Sequence, residues 1–188
     1  SAIGQKGIVL MAAQNVVHLR VHSEFSLIDS VVNIKKMLAA CVEKNFPAIA
    51  LTDQTNFFGL VKFYKAAIGA GVKPIIGSDF ILDDGENLSH FTLLAMDNQG
   101  YKNITELISL AYLKGQKLSG DATVTWADIE QYHQGVIVLS GAKRGDVGQA
   151  LVKGNNINAR ANLERWLSLF AGRYYLELQR TERPDDES

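Results

Sequence analysis

The sequence predicts an α/β fold in which parallel strands are covered by helices, and two observations support that prediction. Short apolar segments typical of strands alternate with helical patterns along the chain, which indicates parallel strands joined by helices. Polar residues also follow the predicted strands, at the ends where parallel barrels build their sites. An open doubly wound sheet would place ligands at strand ends as well, but we expect a barrel.

The first half of the chain predicts three strands and two helices. Each helix is indicated by apolar residues that recur every three or four positions, and each strand by a short run of apolar residues. In order, the predicted elements are a strand at Val16–Val21, a helix capped by Asn33, a strand at Ala48–Leu51, a helix at about Phe58–Ile68, a strand within Val72–Phe80 and a turn at Asp83-Asp84-Gly85.

The second half continues the same alternation. In order, the predicted elements are a strand at Phe91–Ala95 preceded by His90, a helix after Gly100, a loop at Lys114–Thr123, one or two helical turns at Trp126–Tyr132, a strand at Gly135–Leu139, helices at Val147–Val152 and Ile157–Phe170, and a strand at Tyr174–Leu178. In the last helix, we expect Leu163, Trp166, Leu167 and Phe170 to form the buried stripe. We expect one domain over residues 16–188. Residues 1–15 would be a leader with a cloning remnant before a natural start at Met11.

The composition is that of an ordinary globular protein, since 47% of the 188 residues are hydrophobic and 21% are charged. A net charge of −1 gives no overall field that would draw the chain onto DNA. The single cysteine, Cys41, excludes an internal disulfide and lies at an apolar helical position, so we expect it to be buried. No apolar segment approaches the roughly 20 residues that span a bilayer, and we expect a cytoplasmic protein.

Polar residues at the predicted strand ends suggest a metal site. His22, Asp53 and Asp79, together with His90, make a mixed imidazole and carboxylate set that suits zinc or manganese. Such a site could lower the pKa of bound water for attack on a phosphate ester. Each residue alone also fits a structural role, such as a turn for Asp53 or a cap for His90. Their recurrence at strand ends favours a shared cleft.

Arg20 is the observation against that metal site. Because a strand repeats every two residues, we expect His18, Arg20 and His22 on one face. A guanidinium is cationic at physiological pH and has no lone pair for a metal. We expect it to repel a divalent ion and to pair with Asp53 or Asp79 instead.

Other catalytic motifs are missing from the sequence. No glycine-rich phosphate loop occurs. Ser140 is not in a nucleophile elbow, because Val138 stands where that motif has glycine.

Five separated segments carry a family resemblance: His18–Ser26, Ala50–Asp53, Gly59–Tyr64, Gly71–Gly77 and Tyr175–Arg180. In this order they closely resemble the N-terminal PHP (polymerase and histidinol phosphatase) domain of bacterial replicative DNA polymerase III alpha subunits. The resemblance implies a distorted seven-stranded β/α barrel of the TIM type. It also implies that this chain is a fragment that stops before the final strands.

Metal-bearing members of that family differ from this sequence at four ligand positions. They have histidine in place of Arg20 and Gln54, glutamate in place of Asp79, and typically cysteine in place of Ala142. His90 matches a histidine that the family retains. The resemblance therefore implies a vestigial cleft with no catalytic residue and no metal. The cleft would comprise His18, Arg20, His22, Asp53, Gln54, Asp79, His90 and Ala142; if any metal bound, its ligands would be His22, Asp53, Asp79 and His90.

The resemblance also implies a function. The parent subunit would carry out DNA-directed DNA synthesis in replication, with magnesium and deoxynucleoside triphosphates, and would contact DNA only through domains that this fragment lacks. This domain, without a cofactor, would support the polymerase and bind the separate proofreading exonuclease subunit. The resemblance does not say which surface would bind it, and the exposed parts of Leu82–Leu88 and Lys114–Thr123 are candidates. The alternative is an active phosphoesterase or 3′–5′ exonuclease that depends on zinc or manganese.

Overall fold

The computed structural model describes residues 17–25, 33–116 and 120–178. These residues form one sheet with helices packed against it. The strands are β1 (Ala48–Leu51), β2 (Lys73–Asp83), β3 (Leu88–Ala95), β4 (Thr123–Val124), β5 (Val136–Leu139) and β6 (Tyr174–Tyr175). The helices are α1 (Ile34–Glu43), α2 (Leu60–Gly69), α3 (Asn98–Lys114), α4 (Trp126–Gln131), α5 (Asp146–Val152) and α6 (Asn156–Leu169), with a short 3₁₀ helix at Ala142–Arg144.

All the described strands except β3 run in the same direction. The strand order is β1-β2-β3-β5-β6, and β4 pairs with the second half of β2. The β1–β2, β2–β4 and β5–β6 pairs are parallel, whereas β3 is antiparallel to both β2 and β5. The prediction of an α/β fold with a mostly parallel sheet is confirmed, but the expectation of parallel strands is wrong for β3.

The reversal of β3 follows from the turn that precedes it. Asp84 Oδ1 accepts hydrogen bonds from the backbone N–H groups of Glu86 and Asn87, at 2.8 and 2.7 Å. Gly85 adopts a φ of 95°, which a residue with a side chain would rarely adopt. The turn predicted at Asp83-Asp84-Gly85 is confirmed, and it is too short to contain a crossover helix.

The long strand β2 corrects a second expectation, that Asp79 ends a strand. β2 continues to Asp83, because Phe80 to Asp83 pair with β3 and Ile81 and Leu82 also pair with β4. Asp79 nevertheless lies level with the residues that follow β1, because it forms an isolated parallel β-bridge with Gln54. His90 was expected just before a strand but is the third residue of the antiparallel strand β3, where it pairs with Ile81.

The main hydrophobic core is centred on Trp166 of α6, which is only 1% exposed. Its ring lies 4.4 to 5.7 Å from four other rings, those of Phe91, Trp126, Phe170 and Tyr174. The indole N–H donates to both carboxylate oxygens of Asp146, at 3.0 and 2.9 Å. The predicted stripe of α6 is therefore confirmed at Trp166.

Two further predictions about the core have opposite outcomes. Leu167 was expected in the stripe of α6 but is 43% exposed, because it follows Trp166 by about 100° around the helix. Cys41, which packs in a second core formed by α1, α2 and β1, is buried as predicted.

Some predictions fall outside the described residues. The leader at residues 1–15, the beginning of the first strand at Val16 and the charged residues after 178 belong to this group. Within the described part of the chain, every helix is too short or too polar to cross a membrane.

Replacement of Trp166 by alanine should lower the free energy of unfolding by about 3–5 kcal/mol, because it empties the centre of the core. It also removes the donor to the half-buried Asp146 carboxylate. Urea unfolding of the purified chain, followed by circular dichroism, measures the change. The matched control is Leu167→Ala on the same helix, which should change stability by less than about 0.5 kcal/mol. Equal losses in the two variants would contradict this account of the core.

Candidate functional site

The segment before α1 runs parallel to β1 but contains an inserted residue. The carbonyl of His18 accepts a hydrogen bond from Ala50 N, and that of Val21 accepts one from Thr52 N, both at 2.8 Å. The segment thus advances three residues while β1 advances two, which is the signature of a bulge. A bulge interrupts the alternation of side chains along a strand.

The bulge separates His18 from the two residues with which it was expected to share a face. Arg20 and His22 both contact Asp79. The exposed His18 ring instead makes an edge contact with Phe46, with 5.0 Å between ring centroids. The expectation of one common face is therefore wrong for His18.

Asp79 is the centre of the site and is 3% exposed. Its Oδ2 accepts hydrogen bonds from Arg20 Nε at 2.9 Å and from Arg20 Nη2 at 2.6 Å. His22 Nε2 lies 2.9 Å from the same oxygen and must carry a proton to donate to it. Thr92 Oγ1 donates to Oδ1 at 2.5 Å. The carboxylate is therefore surrounded by donors, two of them from a cation.

Arg20 also faces a second carboxylate, that of Glu177. Its Nη1 lies 3.8 Å from Glu177 Oε1, and both side chains are less than 20% exposed. The other carboxylate oxygen accepts a hydrogen bond from Gly141 N at 2.7 Å, and Glu177 N donates to Ser140 Oγ at 3.0 Å. Because Glu177 follows β6, Arg20 connects the first described segment with the last one.

Asp53, the other acid expected as a partner for Arg20, forms side-chain hydrogen bonds with Ser23. It is 2% exposed and accepts hydrogen bonds from Ser23 N and Ser23 Oγ, both at 2.7 Å. Its backbone carbonyl accepts a further hydrogen bond from Ser78 Oγ at 2.7 Å. Asp53 thereby holds the loop after His22 against β2.

His90 and Ala142 lie on another side of the site. His90 Nε2 is 2.7 Å from Arg144 Nη2, so this nitrogen is an acceptor and the imidazole is neutral. Ala142 begins the 3₁₀ helix with a left-handed φ of 49°, is 9% exposed and offers no donor atom to a metal. Gln54 reaches Asp79 through a backbone bridge.

These contacts shift the pKa values of three groups. The hydrogen bond to Asp79 raises the pKa of His22 above 6.5, more than burial lowers it. Burial alone would raise the pKa of Asp79, but the hydrogen bond from His22 and the charge of Arg20 hold it below its usual value. Burial, aided by the charge of Arg144, lowers the pKa of His90 to about 4.

The residues present do not fit a divalent metal ion. The position beside Asp79 Oδ2 and His22 Nε2 is occupied by the guanidinium of Arg20. Among the residues that the structure describes, no group of three or more His, Cys, Asp or Glu side chains is arranged to hold a metal. The geometry is that of a buried carboxylate whose charge is neutralised by a guanidinium.

Sequence reasoning missed four residues that contribute to the site. Thr92 could have been noticed as a lone hydroxyl within the apolar strand β3, and Glu177 as an acid at a strand end. Ser23 and Arg144 gave no comparable signal, because their roles depend on Asp53 and His90, which are distant in sequence.

The pKa values of the two site histidines should lie on opposite sides of 6.5, the ordinary value for histidine. In ¹³C-detected NMR of the histidine-labelled chain, His90 should titrate near pH 4 and His22 above pH 6.5, with signals assigned from His22→Gln and His90→Gln. Replacement of Asp79 by asparagine should lower the pKa of His22, because the hydrogen bond to a charged acceptor is lost.

The depressed pKa of His90 also has a consequence for stability. Between about pH 6.5 and pH 4, His90 binds a proton in the unfolded chain but not in the folded one, so its contribution to stability falls as the pH falls. His90→Gln should remove that part of the pH dependence. A His90 signal that titrates near pH 6.5 would contradict the Arg144 contact.

Comparison with known proteins identifies the relatives of this chain. Residues 18–181 match the PHP domain family. DNA polymerase III subunit alpha of Pseudomonas fluorescens is 46% identical over 174 residues, which are 91% of this chain and 15% of the relative. The same subunit of Escherichia coli K12 is 43% identical over 182 residues, which are 95% of this chain and 16% of the relative. The chain therefore spans about 15% of the length of these curated relatives.

Solved structures give only a distant likeness. An amidohydrolase from Chromobacterium violaceum, with bound sulfate and no metal, has a TM-score of 0.48 and 13% identity, over 77% of this chain and 73% of its own.

The match to the family extends over most of the chain and agrees with the distorted barrel that the sequence predicts. The DNA polymerase III alpha subunits match over 91–95% of the chain. The chain belongs to the PHP domain family and corresponds to the PHP region of DNA polymerase III alpha subunits.

Proposed function

We propose that the chain is the N-terminal PHP domain of a DNA polymerase III alpha subunit and acts there as a metal-free scaffold. The parent subunit copies template DNA in the cytoplasm with magnesium and deoxynucleoside triphosphates. It contacts DNA through parts outside this chain, whose own net charge is only −1. Relatives of that name, 43–46% identical over 91–95% of the chain, support the parent's identity.

The observation that carries the scaffold role is the pair of hydrogen bonds from Arg20 to Asp79 Oδ2. A single positive charge and a divalent ion 4 Å apart repel each other by roughly 8 kcal/mol at an effective dielectric constant of about 20. Arg20 also neutralises a buried carboxylate that would otherwise need another cation. The guanidinium thus supplies the charge that a metal would supply, without supplying an electrophile or activated water.

The remaining contacts of Asp79 support the same conclusion. His22 uses the nitrogen that would have to bind a metal to donate to Oδ2, and Thr92 occupies Oδ1. A metal at this carboxylate would have to displace three donor groups, those of Arg20, His22 and Thr92. Gln54 and Ala142 supply no good metal ligand in return. A neutral amide binds a metal weakly, and a methyl group does not bind it at all.

A domain that catalyses no reaction can still bind another subunit of the polymerase. We propose that the partner of this domain is the proofreading exonuclease subunit. The turn after β2 is exposed and acidic, with Asp84 and Glu86 at its tip. A charged, exposed turn fits the polar rim of an interface with a separable partner. The other candidate loop is Lys114–Thr123, and its residues 117–119 lie outside the described residues.

The full-length alpha subunit, purified without chelator, should contain no stoichiometric zinc or manganese attributable to this domain. Elemental analysis by mass spectrometry measures the metal content. Arg20→His alone should not restore binding, because Gln54 and Ala142 still lack suitable ligand atoms. The comparison variant adds Gln54→His and Ala142→Cys to Arg20→His, and metal should increase only there.

Two results would favour the active phosphoesterase instead. The first is near-stoichiometric zinc or manganese in the unaltered subunit. The second is a manganese-dependent release of nucleotides from DNA that His22→Ala abolishes.

Charge reversal at the β2–β3 turn should weaken binding of the exonuclease subunit. In the full-length subunit, Glu86→Lys is expected to raise the Kd at least tenfold, which is about 1.4 kcal/mol, and to leave primer extension unchanged. Surface plasmon resonance with the purified exonuclease subunit measures the affinity. The matched control is Glu106→Lys on the exposed side of α3, which should bind normally. Normal binding by both variants would exclude this turn as the contact.

A further inference from the structure

The β2–β3 turn supplies only the polar part of an interface with a partner. Asp84 and Glu86 at its tip are exposed, and Leu88, which opens β3 directly after the turn, is 39% exposed. Protein interfaces combine such a polar rim with an apolar centre, because burial of apolar surface drives most association. If the turn is a rim, an apolar centre should lie beside it.

Helix α5 leads towards the turn, because it runs antiparallel to the beginning of β3. A Cβ atom placed on Gly145, just before the helix, would lie 3.3 Å from the backbone oxygen of His90. Four residues later, Gln149 Nε2 donates to the backbone oxygen of Leu88 at 2.9 Å. The helix advances about 6 Å over those four residues, and the strand covers about 7 Å between its two residues. The end of α5 at Val152 is therefore level with the residues of the turn that precede Leu88.

Exposed apolar side chains lie at this end of α5. Val152 follows Gln149 by three residues, so the two side chains are neighbours on the helix surface. Val152 is 71% exposed, and Leu151 beside it is 55% exposed. Leu88 and Val152 therefore lie on either side of the Gln149 side chain.

The beginning of α6 extends the same apolar region. Asn155 N donates to the carbonyl oxygen of Ala150 at 2.9 Å, so the connection between α5 and α6 is tight. Ile157, in the first turn of α6, is 83% exposed. Four exposed apolar residues so close together differ from the single ones that are common on protein surfaces. We call this set the α5 corner: Leu88, Leu151, Val152 and Ile157.

The charges around the α5 corner indicate the kind of partner that fits it. The turn contributes two exposed carboxylates, Asp84 and Glu86, against one exposed cation, Lys153, directly after α5. Arg160 in α6 pairs with Glu164 at 2.9 Å. The margin formed by the turn is therefore acidic. A partner segment in which basic residues flank apolar ones would match both the corner and this margin.

We propose that the α5 corner is the apolar centre of the contact whose rim is the β2–β3 turn, and that it binds an apolar segment of the exonuclease subunit flanked by basic residues. The inference rests on the proposed function, which gives the turn to that subunit. The corner is continuous with the turn, because Gln149 of α5 is bonded to Leu88. It also mixes apolar side chains with exposed charges, which is the composition of a separable interface, whereas permanent interfaces are more apolar.

Binding of the purified exonuclease subunit to the full-length alpha subunit tests the proposal. Val152→Lys should raise the Kd at least tenfold in surface plasmon resonance, because the added cation must lose its hydration and faces the basic residues of the partner. Val152→Ile, which keeps the surface apolar, should bind normally. The matched control is Val42→Lys in the last turn of α1, where valine is 49% exposed, and it should also bind normally. Unchanged primer extension establishes that each variant is folded.

Thiol labelling determines whether the corner is free before the partner binds. In the full-length subunit alone, Val152→Cys should react rapidly with iodoacetamide. Saturating exonuclease subunit should slow that reaction at least tenfold and leave the reaction of Val42→Cys unchanged. The rates are read from the corresponding peptides by mass spectrometry.

Three results would overturn the inference. Normal binding by Val152→Lys would exclude the corner, and weak binding by Glu86→Lys in the same series would leave the proposed function intact. Slow labelling at position 152 before the exonuclease subunit is added would mean that the alpha chain itself covers the corner. A lack of binding to the unaltered subunit would refute the proposed partner and this inference together.

Discussion

The structure of the site depends on the charge of one buried carboxylate, that of Asp79. An ion of this kind loses several kcal/mol of hydration, so the fold must surround it with donors. Arg20 and His22 provide them from the segment before α1, and Thr92 provides one from β3. The bulge before β1, which turns Arg20 and His22 towards Asp79, makes that arrangement possible. It also separates His18 from them.

Arg20 contacts carboxylates from two separate parts of the sheet. Its guanidinium lies between Asp79 in β2 and Glu177 after β6, so one side chain connects the second strand of the sheet with the segment that follows its last strand. In a metal-binding relative the corresponding charge would come from a dissociable ion. Here it is covalently part of the chain and does not depend on metal supply. That permanence is the physical basis of the scaffold role that we propose.

Local patterns predicted most elements correctly, and the errors have physical causes. The helices α1 and α6 were predictable because their apolar repeat is set by neighbours three and four residues away. The direction of β3 was not, because an apolar strand has the same pattern whether its neighbours are parallel or antiparallel. Asp79 was placed at a strand end because a polar residue inside a strand is unusual. Its burial within β2 is explained only by donors from elsewhere in the chain.

The sequence by itself determined the α/β class, the family motifs and the presence of an arginine where a metal ligand would be expected. These depend on residue type and local spacing alone. Only the tertiary structure decided that Arg20 pairs with Asp79, 59 residues away, that Asp53 binds Ser23, and that burial and the charge of Arg144 keep His90 neutral. Such choices depend on which strands are neighbours and in which register. A bulge of one residue changes them without leaving a clear pattern in the sequence.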